Sequence, residues 1–417
     1  MKAGRIALLL AFALLLTACG APEAEPSPTP GSSGGEVAVH WDALTPKPEN
    51  VAKRWYKGYT DELIPSDDYG ELVPYIGGEM SHQYVGTSWY YGLATRDGVI
   101  ITDPVYADVS ATDGGSALVL RTAVPNDAPI VDEWTPRHDD RYGLAAIDGS
   151  WYTGQIYTDN ICTSTLGALF FDTDGDVVMV SAEDGSELFR WRADELPIEG
   201  LEPSPFYWEI VSVEGEYMRF THWGTGGENR YDYVDLRTGE LLDTAPDVFN
   251  VVYDGETMRY DGGTFTVSDG AVTINADSGE THTFPVPDWA GEFFYPDING
   301  DRILIGHDGV TLLTDLDGNE LARIDGIANW TWQLYGTAWS LPAVTDYVSS
   351  EDGLGFWVDY TLYDRDGELM GKFSGNVEQW GDRLLIADSD SYRLTDLEGS
   401  DLIRLSRFDQ LDIPAEE

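Results

Sequence analysis

This chain of 417 residues carries 74 acidic against 24 basic side chains, a formal charge of −50 that excludes nucleic acid and an anionic lipid surface as direct partners of its folded part. Two cysteines are too few for a disulfide framework, and a composition 42% hydrophobic and 12% aromatic, with 14 Trp and 23 Tyr, is not that of a disordered chain. The acidic residues run the whole length, so the charge describes a solvated, self-repelling surface and marks no particular site.

The first elements are those of export. Lys2 and Arg5 precede an apolar run, Ile6 to Leu16, which is followed by small residues at Ala18 and Cys19. The run is too short to span a bilayer as a helix. Leu16-Thr17-Ala18-Cys19 resembles the lipobox of bacterial lipoprotein signals. The resemblance covers about the first twenty residues. It implies that residues 1–18 are a signal peptide cleaved after Ala18, and that Cys19 takes a diacylglyceryl group on its thiol and a further acyl chain, such as palmitate, on its new amine. The expected location is the outer face of the cell membrane, or the outer membrane of a two-membrane bacterium, with the membrane touched only through the lipid. Two or three acyl chains anchor stably where one does not. Gly20 stands where inner-membrane retention would place Asp.

Residues 19–35 then form a tether, since Ala21 to Gly35 reads APEAEPSPTPGSSGG and has almost nothing to bury. Fully extended, it would hold the folded part about 50 Å from the membrane.

Residues 36–417 read as all-β. Short runs of β-branched and aromatic residues end in Asp-Gly, Ser-Gly, Thr-Gly or Glu-Gly dipeptides that suit tight turns, as in Val177-Val178-Met179-Val180 before Asp184-Gly185 and Thr311-Leu312-Leu313-Thr314 before Asp317-Gly318. A pattern of Asp, two residues, Gly, then an acid and Leu recurs at Asp315–Leu321, Asp364–Leu369 and Asp396–Leu402, with a looser copy at Asp235–Leu241. Such recurrence marks a repeat architecture. Earlier in the chain, Tyr91-Gly92-Leu93-Ala94-Thr95-Arg96-Asp97-Gly98, then Tyr106, aligns without a gap on Tyr142-Gly143-Leu144-Ala145-Ala146-Ile147-Asp148-Gly149, then Tyr157. These stretches, within about 88–161, resemble the WG repeats of bacterial surface and exported proteins, with Tyr where that family more often has Trp. The resemblance implies binding and surface roles and no chemistry. The later hairpins resemble the outer strand pairs of quinoprotein-like and WD40-like propellers.

A blade of four strands takes about 40 to 50 residues, so a β-propeller of roughly seven or eight blades accounts for residues 36–417. The alternative is two consecutive β domains dividing near Glu195.

Chemistry is sparse in this sequence. Metalloprotease, P-loop, dinucleotide and nucleophile-elbow motifs are missing, and Trp223-Gly224-Thr225-Gly226-Gly227 lacks the strand-to-helix context of a phosphate loop. Cys162 reads as a small buried hydrophobe, and the six histidines are scattered singly. Asp172, Asp174 and Asp176 surround one tight turn; hard oxygen ligands there would suit Ca²⁺, whereas the simpler reading gives Asp and Gly to turn geometry. No other cofactor is expected. Trp330, Trp332, Tyr335 and Trp339 cluster in a charge-free stretch suited to a loop over one face and to stacking on sugar rings, and Phe206, Tyr207 and Trp208 form a second group; packing between blades is the simpler use of both. The expected function is that of a tethered, non-catalytic platform binding an envelope or surface protein. The alternatives are a glycan-active propeller enzyme and a calcium- or glycan-binding module.

Overall fold

The computed structural model describes residues 63–82, 86–125, 138–202, 210–223, 229–249, 257–260, 262–289, 296–335, 340–349, 356–388 and 391–406. All of them lie in a compact unit spanning 38–417. Cys19, the signal segment, the tether, Phe206 to Trp208 and Trp339 lie outside the described residues.

The described chain is a series of antiparallel meanders, and grouping the strands by their pairing gives eight blades of a β-propeller. Blade 1 holds Leu72–His82 and Gly86–Thr95, with a short return bridged to Ala94 at Ile100. Blade 2 holds Asp108–Ala111, Ala117–Pro125 and His138–Ala146, with a return bridged to Ala145 at Tyr152. Blade 3 holds Tyr157–Ser164, Gly167–Asp172, Val177–Ser181 and Glu187–Trp191. Blade 4 holds Val211–Glu214, Tyr217–His222, Arg230–Asp235 and Glu240–Leu242. Blade 5 holds Thr257–Tyr260, Gly263–Ser268, Ala271–Ala276 and Thr281–Pro285. Blade 6 holds Asp297–Asn299, Arg302–His307, Val310–Asp315 and Glu320–Asp325. Blade 7 takes Ala328–Trp330, Pro342–Ser349, Phe356–Tyr363 and the first half of the long strand Leu369–Trp380. The second half, from Gly375, opens blade 8, which continues through Arg383–Asp388, Ser391–Asp396 and Asp401–Ser406.

The Asp-Gly turns between third and fourth strands serve two purposes. Asp315 Oδ1 accepts the amide N–H groups of Asp317 at 3.0 Å and Asn319 at 2.9 Å, which closes the turn, and Gly318 takes the positive φ of 76° that the turn needs. The same turn then presses on the outer strand of the preceding blade. A Cβ on Gly318 would sit 2.7 Å from Phe284 of blade 5, one on Gly239 2.6 Å from Phe189 of blade 3, one on Gly367 2.1 Å from Ala322 of blade 6, and one on Gly185 2.8 Å from Trp151 of blade 2. Gly98 of blade 1 stands in the same way 2.7 Å from the Leu402 carbonyl of blade 8. Gly279 of blade 5 has open space instead.

Blades stacked on both sides should bury both faces, and their strands should read as unbroken apolar runs. Ala168 to Phe171, Val177 to Val180 and Leu384 to Ala387 do so, each at 2% exposure or less. One apolar cluster joins blades 8, 1 and 2 through Trp380, Leu394, Tyr75, Leu93 and Leu118. Others join blade 2 to 3, 3 to 4, 5 to 6, 6 to 7 and 7 to 8. The blade 3 to 4 cluster runs from Ile161 to Leu236, straight across Glu195, so the two-domain alternative does not describe this chain. Packing of blade 1 on blade 8 closes the ring; Arg96 pairs with Asp382, and Arg383 Nε donates to the Arg96 carbonyl at 3.2 Å.

Candidate functional site

Blade 1 has no first, innermost strand among the described residues, and the axial position between blades 8 and 2 is taken by a strand from elsewhere. The chain leaves blade 7 after Trp330, and Trp332–Tyr335 then runs parallel to Glu378–Trp380, the first strand of blade 8, while lying beside Asp108–Ala111, the first strand of blade 2. The excursion is fastened at its root by buried polar groups. Thr331 Oγ1 donates to Gln379 Oε1 at 2.8 Å, the Leu341 N–H reaches Thr331 Oγ1 at 3.1 Å, and Gln379 Nε2 donates to the Gly381 carbonyl at 2.9 Å. Arg365 adds a clamp from blade 7: it donates to the Ser340 carbonyl at 2.7 Å and the Asn299 carbonyl at 2.9 Å, pairs with Asp301 at 2.6 Å, and lies 5.6 Å over the Trp330 ring.

The stretch read from the sequence as a loop over one face is therefore partly an axial strand. Trp332 and Tyr335 stand on it, and Trp330 is held back at its root, where its Nε1 donates to the Asp297 carbonyl at 3.3 Å.

Beside this strand lies a cluster of titratable groups that no local motif announced. Tyr91, the tyrosine heading the first Tyr-Gly-Leu copy, donates its hydroxyl to Glu378 at 3.0 Å, and Asn376 Nδ2 donates to the same carboxylate at 2.9 Å. Burial, with a smaller contribution from the Asp108 charge, pushes the Glu378 carboxyl above its ordinary range. Burial likewise raises Asp108, with Arg121 opposing it and Asp140 adding to it. Arg121 bonds Asp140 at 3.4 Å and the Ala107 carbonyl at 3.3 Å. Burial raises Tyr91 and Tyr142 far above the usual phenol range, reinforced by Glu378 and Asp140 respectively, so both phenols stay protonated donors. The two equivalent tyrosines occupy equivalent places, bridging Tyr106 and Tyr157 across their hairpins. The chemistry available here is proton sharing and charge balance within the ring.

The other residues singled out in the sequence are placed as follows. Asp172 Oδ1 accepts the N–H groups of Asp174 at 2.9 Å and Asp176 at 3.0 Å; Arg190 pairs with Asp172 and lies 3.0 Å from Asp176, whose second oxygen accepts the Ala193 N–H at 2.9 Å. Asp174 is exposed. This turn thus has a guanidinium where a cation ligand set would converge, and among the described residues no three His, Cys, Asp or Glu side chains are grouped to hold a metal. Cys162 faces Met218 Sδ at 3.8 Å between blades 3 and 4, and burial raises its thiol well above the reactive range. His222, His282 and His307 pair with three different carboxylates, Asp232, Asp317 and Asp308, and do not converge.

A different feature concerns the surface. In an antiparallel meander, the connections from second to third strand and from fourth strand to the next blade emerge at one end. Among the described residues with large exposed apolar side chains, Ile156, Trp223, Val248, Trp289 and Ile327 lie in these connections, whereas Val99 lies at the other end, before the return of blade 1, and Ile64 precedes the strands of blade 1. Leu188, Leu241 and Leu321 stand instead on the outer strands of blades 3, 4 and 6, the last two at the Leu of the recurring hairpin pattern. Trp289 stacks on His307 at 3.9 Å, which holds its ring in place at that end.

Comparison with known proteins gives no matching family model and no matching curated protein. Many solved structures resemble the chain. They include BamB from Moraxella catarrhalis, at 12% identity and TM-score 0.24 over 81% of this chain and 94% of that one. Another is the Cps50 (Swd1) β-propeller domain of Myceliophteria thermophila, at 11% identity and TM-score 0.30 over 76% and 97%. A third is the quinohemoprotein alcohol dehydrogenase of Comamonas testosteroni, at 10% and 0.27 over 72% and 67%. At such values these likenesses carry nothing about function; the propeller architecture rests on the strand pairing above.

Proposed function

We propose that this protein is an exported lipoprotein, anchored through Cys19, whose eight-bladed propeller serves as a non-catalytic platform for a protein partner in the envelope or at the cell surface. The partner docks on the end that bears Ile156, Trp223, Val248, Trp289 and Ile327. Their gathering at one end carries the reading, because large apolar side chains otherwise seek burial, and exposed groups of them mark protein contacts. The formal charge of −50 favours a partner with a basic rim. The anchor and the WG-like character of residues 88–161 rest on the sequence patterns alone. Among the described residues no helix is long and apolar enough to cross a membrane.

The test places a photo-crosslinking side chain at position 223, 289 or 327 in the native cell, with positions 188 and 321 as controls. A discrete protein adduct from the first three and none from the controls supports the platform, whereas equal labelling from both sets or from neither refutes it. Cys19→Ser should release the protein from membranes and abolish lipid labelling; a Cys19→Ser protein that stays anchored removes the lipoprotein assignment and leaves the docking end to be judged by its adducts.

A further inference from the structure

The seam between blades 4 and 5 differs from every other seam described above. Blade 4 turns Met218, Phe220 and Val234 into the apolar cluster it shares with blade 3. Side chains alternate across a strand, so its opposite face, toward blade 5, carries Ser212, Arg219, Thr221, Tyr231 and Tyr233, set beside one another by the pairs Ser212 with Arg219, Arg219 with Tyr233, and Thr221 with Tyr231. Blade 5 repeats this division in reverse. Phe265, Val272 and Ile274 join blade 6, leaving Thr264, Thr266, Thr273 and Asn275 toward blade 4, with Thr264 opposite Asn275 and Thr266 opposite Thr273. The three threonines are half-buried and Asn275 is exposed, whereas the matching positions of blade 3 are dry. No apolar cluster joins these two blades among the described residues, and the Gly279 turn, which elsewhere would press on the preceding blade, meets open space.

The facing groups are also chemically particular. The Arg219 guanidinium lies 5.3 Å from the centres of both the Tyr231 and Phe249 rings, and its Nη2 donates to Ser212 Oγ at 3.1 Å. Its Nε is buried without a hydrogen-bond partner among the described residues. Tyr231 is 42% exposed, so one edge of this aromatic stack reaches solvent. A buried donor left unpaired is costly, which leaves a place there for an acceptor that a ligand can supply.

We propose that the seam between blades 4 and 5 is a binding cleft for a neutral glycan chain. A sugar ring offers an apolar C–H face to Tyr231 and, around its rim, hydroxyls that both donate and accept. The opposite wall supplies the matching groups: threonine hydroxyls and the Asn275 amide do both, and Arg219 Nε needs an acceptor. Arg219 is already held between two rings, so little side-chain freedom is lost on binding. A polyanionic glycan is disfavoured by the charge of the protein, since the Arg219 guanidinium, packed on aromatic rings, does not offset a field of that size. The cleft uses none of the five docking side chains, although it reaches the same end of the ring, where Phe249 follows Val248 and Tyr231 stands at the start of the strand after the Trp223 connection.

The test is affinity electrophoresis of the full chain, in a nonionic detergent without a sugar headgroup, through gels containing mannan, laminarin, xyloglucan, amylose or hyaluronan. At least one of the four neutral polymers should retard the protein. Tyr231→Ala and Arg219→Ala should each weaken that retardation tenfold or more. Thr266→Trp, which fills the cleft, should abolish it with the thermal midpoint unchanged, and so guards against variants that simply fail to fold. Failure of all four neutral polymers, retardation by hyaluronan alone, or undiminished retardation of Thr266→Trp would each overturn the proposal. Loss with Trp223→Ala but not with Tyr231→Ala would also overturn it, by moving the sugar to the docking end.

Discussion

The seam between blades 2 and 3 and the seam between blades 4 and 5 join the same kind of sheet by opposite means. At the first, Val119, Leu144, Phe170, Val178 and Val180 form a dry cluster, and Phe170 lies flat on Tyr157 at 4.5 Å and 7°. At the second, an arginine and two tyrosines face a wall of threonines that water reaches. Strand pairing within a blade and packing between blades are thus separate sources of stability. The first comes from the backbone of every repeat, and the second only from those positions where alternating side chains are apolar on both faces. A propeller can therefore give up one seam to solvent while the others hold the ring.

The contrast is open to attack by substitution. The largest effect is expected at the dry seam: Phe170→Ala should cost about 3–5 kcal/mol in denaturant unfolding, while Tyr233→Ala at the wet seam should cost less than about 1 kcal/mol. Equal losses would show that the two seams contribute alike. Next come the turn glycines. Gly279→Ala meets only the penalty of a positive φ, about 1–2 kcal/mol, whereas Gly318→Ala also drives a methyl to within 2.7 Å of Phe284 and should lower the melting temperature further. Identical shifts for the two would mean that the turn does not act as a latch between blades. Thr273→Val should then be nearly silent, within about 0.5 kcal/mol; a clear gain in stability would reveal a seam that closes dry.

The smallest expected effect is a pH dependence where blade 8 meets blade 1. The folded Glu378 carboxyl titrates above the ordinary glutamate value of 4.5, so its stabilising form is the protonated one. That contribution is full below 4.5 and is lost as pH rises through the folded value. Glu378→Gln, neutral throughout, should melt with wild type near pH 4 and above it at pH 7. A difference in melting temperature that stays constant across this range would remove the assigned role.

Much of the fold could be read directly. Asp-Gly dipeptides fix turns through local backbone geometry, so the hairpins at Asp184-Gly185, Asp317-Gly318 and Asp366-Gly367 appear where the sequence puts them. The gap-free match of Tyr91 with Tyr142 foretold two equivalent strands, each with its tyrosine bridged to the returning one. The candidate sites were less legible. Arg190 reaches the Asp172 turn from a strand 18 residues away, and Tyr91 meets Glu378 across 287 residues. Nothing local to either residue encodes those encounters. The threonine face of blade 5 is visible as an alternation in Thr264-Phe265-Thr266, but alternation says only that the two faces differ, not what each one faces.

Sequence patterns of short range thus set the repeat, its turns and the acidity of its surface, because they depend on neighbours along the chain. The tertiary structure decided the rest: the number of blades, the borrowed strand at 332–335 on the axis, the placing of five exposed apolar residues at one end and, among the described residues, the wet seam between blades 4 and 5. Each of these depends on which blade lies beside which, and closing the ring brings together residues that are hundreds of positions apart.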